Sequence, residues 1–240
     1  ILLRAPVIER NGNPRIRIVI SGDSHIKNPD RLRLASQLAD RIVGLAGKGI
    51  DIEIGTPASD GFDRAFISAI QPSLGYGKEG RGNIFMTTYT AWKNSTWLDR
   101  DEEGEVTGKV PIPYQTPVPR TIPEDVASVY YREAGKSIYP KDADTMSKRE
   151  EYLMRKRASS VMAYLGNRFS DPASIVILGT DADQKRYGYG DVGDMARLAR
   201  LGGAMVYDTR TSSDREKLLS ALTTLEGMSK DEIADYLRAY

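Results

Sequence analysis

The sequence predicts an α/β fold: a parallel sheet of about five strands with helices on both faces, interrupted by one proline-rich insertion. Three observations carry this prediction. Short β-branched runs alternate with stripes of helical period, the order a parallel sheet requires because each strand is reached by a crossover. The first run alternates polar and apolar residues and then becomes wholly apolar, as in a strand entering a buried sheet. Two runs stop at glycine-broken turns that lead into helices, one from Ile54-Gly55-Thr56 to Gly61-Phe62-Asp63 and one at Leu178-Gly179-Thr180-Asp181.

The elements follow in order. Residues 15–21 form the first strand, ending at Gly22. Asn28-Pro29 supplies a cap with proline at the first helical position, and Leu34, Leu38, Ile42 and Leu45 recur on one face up to Gly47. Residues 50–54 give the second strand; Phe62, Ala65, Phe66, Ala69 and Ile70 line a second helix; residues 83–89 read as the third strand. Ser147 and Glu150 form a capping box before a helix that carries Leu153, Val161 and Leu165. Residues 173–178 make the fourth strand. Asp191 caps a helix that stops at Gly202-Gly203, and residues 204–207 make the fifth strand. Capping boxes from Ser213 to Glu216 and from Ser229 to Glu232 open the last two helices.

Residues 98–139 break the pattern. An acidic run at 99–103 precedes Pro111, Pro113, Pro117, Pro119 and Pro123, a density that excludes interior strands and long helices. The stretch reads as an extended insertion or arm within a single 240-residue domain, serving as a lid, an oligomer contact or a loop. Its apolar residues Val110, Ile112, Tyr114, Val118 and Ile122 are expected to order only against a neighbouring domain or subunit.

Composition excludes several classes. Thirty-four basic against 33 acidic residues leave a net charge of +1, so no whole-chain field draws it to nucleic acid or membrane. With no cysteine and one histidine, disulfide frameworks, thiolate chemistry and the usual zinc sites are absent, and neither metal nor cofactor is expected. No apolar run approaches the ~20 residues that span a bilayer, which predicts a soluble, cytoplasmic protein without membrane partners. The chain opens on Ile1, which reads as processing or as a piece of a longer polypeptide.

Four turns fall at the carboxyl ends of predicted strands, where a parallel sheet binds its ligand. The first is Gly22-Asp23-Ser24-His25. The second runs from Gly55 and Thr56 through Ser59 and Gly61 to Asp63. The third is Gly179-Thr180-Asp181, with Gly188, Gly190 and Gly193 behind it, and the fourth is Asp208-Thr209-Arg210. Glycine lets backbone approach a ligand, hydroxyls donate, and a helix start offers N–H groups to a phosphate or carboxylate. His25 reads equally as a general base, a phosphate donor or a loop residue. Asp60 reads as the cap of the second helix and Asp63 as a ligand contact. Trp92, Trp97, Tyr89 and Tyr114 read either as platforms for stacking bases or as staples of the insertion.

Together the runs Ile20-Ser21-Gly22-Asp23-Ser24, Ala58-Ser59-Asp60-Gly61-Phe62-Asp63-Arg64-Ala65, Leu153-Met154-Arg155-Lys156-Arg157-Ala158 and Ile177-Leu178-Gly179-Thr180 resemble the SLOG superfamily. That Rossmann-like family joins DNA-processing protein A to the "lonely guy" cytokinin-activating enzymes. The resemblance spans roughly residues 15–89 and 152–222. It implies a nucleotide-binding site, and among the basic residues of the third motif it singles out Arg157 for phosphate. Departures accompany it. Where the phosphoribohydrolase branch carries a Pro-Gly-Gly-x-Gly-Thr-x-x-Glu turn, this chain reads Gly188-Tyr189-Gly190-Asp191-Val192-Gly193-Asp194, so Asp194 stands one methylene short of the catalytic glutamate.

The first expectation is therefore a domain that binds a nucleotide or a single-stranded nucleic-acid end without strong catalysis. The second is a nucleoside N-glycosidase or deoxyribosyltransferase, with Asp194 and Asp63 as its catalytic carboxylates. The third is a structural module of a homo-oligomer or larger assembly, with a degenerate crevice.

Overall fold

A computed structural model describes residues 12–22, 29–75, 82–101, 103, 105–119, 121–138, 146–179 and 191–239. Its order is β1 (Arg15–Gly22), α1 (Pro29–Ala46), β2 (Asp51–Thr56), α2 (Phe62–Ile70), β3 (Ile84–Thr90), β4 (Thr96–Arg100), β5 (Val106–Pro111) and β6 (Gln115–Pro117). It continues with α3 (Glu124–Ala134), α4 (Lys148–Leu165), β7 (Ile175–Gly179), α5 (Asp191–Leu201), β8 (Met205–Asp208), α6 (Ser212–Gly227) and α7 (Lys230–Ala239). Six strands form a parallel sheet in the order β6-β3-β2-β1-β7-β8. The chain winds outward from β1 through β2 and β3, then returns to the other side of β1. Strand order therefore reverses between β1 and β7, as in a Rossmann-like fold.

Strand periodicity divides the core between the faces. Ile16, Ile18 and Ile20 of β1 pack with Ile52, Ile54 and Ile177 under α1, α2 and α6. Val19, Val176 and Leu178 face the other way, among buried residues of α3, α4 and α5. Ser147 and Glu150 form the expected capping box at α4, and Ser229 and Glu232 exchange the same pair of bonds at α7. At α6 the cap is Thr211, whose side chain accepts from the Asp214 N–H, and not Ser213. Among the described residues, no helix is long and apolar enough to cross a membrane.

Residues 98–139 are not a bare arm. Their neighbourhood holds the antiparallel β4–β5 hairpin, the strand β6 and the helix α3. Prolines are accommodated where no ladder bond is lost: Pro111 ends β5, and Pro117 lies on β6 at the edge of the sheet. Trp97 and Ile112 are buried with the α1–α2 side of the core, while Val118, Ile122, Val126 and Tyr130 join the α4–α5 side. The expectation that these apolar groups await a neighbouring subunit is thus corrected for Ile112, Val118 and Ile122, which their own chain buries; Tyr114 stays exposed.

Candidate functional site

Gly22 and Gly179 sit side by side at the reversal of strand order, as register partners of β1 and β7. Their glycine identity has an internal cause. A Cβ on Gly179 would lie 2.0 Å from the Phe62 ring, and one on Gly22 would lie 2.3 Å from the Gly179 carbonyl oxygen and 2.6 Å from Phe62 Cβ. The first residue of α2 therefore seats on bare backbone. Gly55 behaves alike: a Cβ there would meet the Ala163 carbonyl oxygen at 2.7 Å. These three glycines are required by packing, whereas the sequence had suggested close approach of a ligand. Gly179→Ala is expected to destabilise by about 1–3 kcal/mol through overpacking. Combining it with Phe62→Ala should give less than the sum of the two losses, which a denaturant double-mutant cycle would measure. Asp23, Ser24, His25, Thr180, Asp181, Gly188 and Gly190 lie outside the described residues.

The turn from β2 into α2 is held from three directions. The Ala58 N–H donates to Thr56 Oγ1 at 3.0 Å, the Trp97 indole donates to the Ala58 carbonyl at 2.9 Å, and the Ser59 N–H donates to Asp63 Oδ2 at 2.8 Å. These bonds fix Ala58 at a φ of 58°, a left-handed conformation a non-glycine residue seldom adopts. Gly61, not Asp60, occupies the cap position of α2, and no side chain caps it. Asp60 instead pairs with Arg64, 3.3 Å away, whose guanidinium also reaches Asp99 of β4.

Asp63 is fully buried beneath this turn, and burial raises its carboxyl to about 7, against the smaller opposing pull of the Ser59 N–H, the Thr56 hydroxyl and the Gly22 backbone. Its Oδ1 and the buried Ser21 hydroxyl have no hydrogen-bond partner of good geometry among the described residues. A consequence for stability follows. Between an unfolded value near 4 and a folded value of about 7, the native state holds a proton that the unfolded chain has released, so stability falls as pH rises through this window and levels off above it. Asp63→Asn keeps an acceptor for Ser59 and should flatten that slope, leaving the variant more stable than wild type at pH 8. Urea midpoints at pH 5 and pH 8 would check this.

Beyond the carboxyl ends of β2 and β3 opens a cleft of about 550 Å³. Ser59 and Asp60 form one side, the β3–β4 connection with Trp92 and Lys93 another, and Tyr152 and Lys156 of α4 a third. The hairpin adds Trp97 and Arg100. The cleft thus combines aromatic surface, hydroxyls and cations, within the size range of small-molecule sites. Of the predicted residues, Ser59 lines it, and Thr56, Gly61 and Asp63 shape the turn behind Ser59.

Arg157, Gly193 and Asp194 belong elsewhere. Arg157 donates to the Ser137 carbonyl at 3.0 Å, and its Nε lies 3.8 Å from Asp191 at the start of α5. Gly193 is buried inside α5. The Asp194 carboxylate is completely buried and accepts from the Tyr130 hydroxyl at 2.9 Å, from Lys136 Nζ at 2.7 Å and from Arg197. Burial of Asp191 pushes its carboxyl upward, opposed by Lys156 and Arg157. Asp194 is therefore committed to tying α3 and its following turn to α5. Tyr130 and Lys136, its partners, carried no sequence signal, because only the packing of α3 brings them to α5.

No family model, no curated protein and no solved structure matches the chain.

Proposed function

We propose that the chain binds a nucleoside phosphate, free or at the end of a single strand, in the cleft beyond β2 and β3, and that it does so without turning its ligand over. The observation that carries this reading is the cleft itself, which Trp92, Tyr152, Lys156 and Arg100 all line at the carboxyl edge of a parallel sheet. Aromatic faces accept a base, and cations accept a phosphate. Two further points support the choice among the three expectations. Among the described residues the space is open rather than filled by side chains, which favours a ligand over a purely structural role. Asp194, the residue aligned with a catalytic glutamate, has both carboxylate oxygens engaged internally, which favours binding over glycosidic hydrolysis.

Titration calorimetry with nucleoside mono- and diphosphates and with a short thymidine oligonucleotide tests the proposal. Saturable binding is expected, accompanied by about 2.7 kcal/mol of stabilisation at 100 times the dissociation constant. Lys156→Glu should weaken it. Absence of binding by every one of these ligands would overturn the reading.

A further inference from the structure

Trp92 is 40% exposed, and neighbours engage both its backbone and its ring. Its carbonyl accepts from the Thr90 hydroxyl at 2.9 Å and from the Ser95 hydroxyl at 2.8 Å. Its ring lies under the Arg155 guanidinium, 4.2 Å from the ring centroid. That guanidinium is fixed in turn: Nε donates to Glu151 at 3.0 Å, and one terminal nitrogen reaches the Ala91 and Val118 carbonyls at 3.4 and 3.5 Å. Trp92 borders two spaces, the cleft and a smaller apolar cavity of about 230 Å³, and Arg155 lines the smaller one. The indole is thus backed by a cation that lines the cavity, and Trp92 also lines the cleft.

An exposed indole immobilised in this way is a preorganised stacking surface: the ordering of the ring precedes binding and so does not oppose it. We infer that Trp92 is the platform on which the base of a nucleotide stacks, with Arg155 as the positioning residue behind it and Lys93 and Lys156, which line the same cleft, as the cations nearest the sugar-phosphate. The inference rests on the nucleotide reading of the cleft and adds the part of the ligand that is gripped. Stacking uses the π-face that every base shares, so the site takes purines and pyrimidines alike and distinguishes both from a sugar phosphate without a base. The acid in the same cleft, Asp60, is paired with Arg64, and Lys156, which lines the cleft, also lies 4.0 Å from Asp191.

The test uses the full chain with adenosine monophosphate, cytidine monophosphate, ribose 5-phosphate and a thymidine oligonucleotide. Both nucleotides should quench tryptophan emission in wild type and fail to do so in Trp92→Phe, while ribose 5-phosphate should leave it unchanged. By calorimetry, Trp92→Ala should bind the nucleotides about 10- to 100-fold more weakly and ribose 5-phosphate as wild type does. Tighter binding of the oligonucleotide than of the mononucleotides would assign the base to a strand, and the reverse order to a free nucleotide. Arg155→Ala should make Trp92 more accessible to acrylamide quenching, and Arg155→Lys should restore part of the protection. Equal nucleotide affinity in wild type and Trp92→Ala would overturn the stacking site while leaving the nucleotide reading of the cleft intact. Failure of wild type to bind any base-bearing ligand would overturn both.

Discussion

Arg17→Met should lower the unfolding free energy by about 3–5 kcal/mol, the range for breaking a buried charged network from one side. Arg17 is only 3% exposed, although it sits on the first strand in a run that alternates like a half-exposed one. Its guanidinium takes the place of the missing turn at the end of α4. It donates to the Ala163 carbonyl at 2.8 Å and to the Tyr164 carbonyl, and it also reaches the Asp171 carbonyl at 2.9 Å. Helix ends leave carbonyls unpaired and carry partial negative charge, so a buried cation there satisfies both demands. Glu53 of the neighbouring strand lies 3.4 Å from Arg17 Nε and completes the charge balance. Methionine keeps the stem's volume and removes the guanidinium donor from the Ala163 and Asp171 carbonyls, while the Tyr164 carbonyl keeps the Ala173 N–H at 2.9 Å. Urea unfolding should show the midpoint shift with an unchanged slope, and Arg17→Lys should recover part of the loss.

Asp194→Ala should destabilise by about 3 kcal/mol. The larger part comes from the Tyr130 hydroxyl, which is buried and would lose its acceptor. Lys136 and Arg197 are partly exposed and would turn to water, so their share is discounted. The result separates two roles. A carboxylate poised in an open crevice for catalysis is removed at little thermodynamic cost, whereas one that pins α3 to α5 is not. The Asp194→Ala protein should still bind nucleotide at temperatures where it is folded.

The alternation of strands and helices was legible because each of the runs that became β1, β2, β3, β7 and β8 is bounded by glycine or a helix cap, and the burial of β1, β2 and β7 on both faces leaves a local apolar signature. The elements β4, β5, β6 and α3 were not. Their order depends on tertiary neighbours: β6 is three residues at a sheet edge, and the hairpin is fastened through Trp97 to the turn before α2 and through Asp99 to Arg64 of α2. The burial of Arg17 has no local signature for the same reason, since only the end of α4 tells a buried arginine from an exposed one. The turn before α2 was located correctly, but its parts were exchanged. Gly61 takes the cap, Asp60 pairs with Arg64, and Asp63 goes under the turn to hold Ser59. The glycines at the strand ends were read as openings for a ligand. Phe62 seats on Gly22 and Gly179, and the end of α4 covers Gly55. Position at a strand end alone does not separate these two uses of a missing Cβ.

The central claim, that a nucleoside phosphate occupies the cleft beyond β2 and β3, is tested most directly by a ¹⁵N–¹H correlation spectrum of the full chain titrated with adenosine monophosphate. Progressive, saturable shifts are expected at Ser59, at the Trp92 indole and at Lys156, with the residues around Asp194 unmoved. A spectrum that does not change, or one whose shifts are confined to α3 and α5, would contradict it.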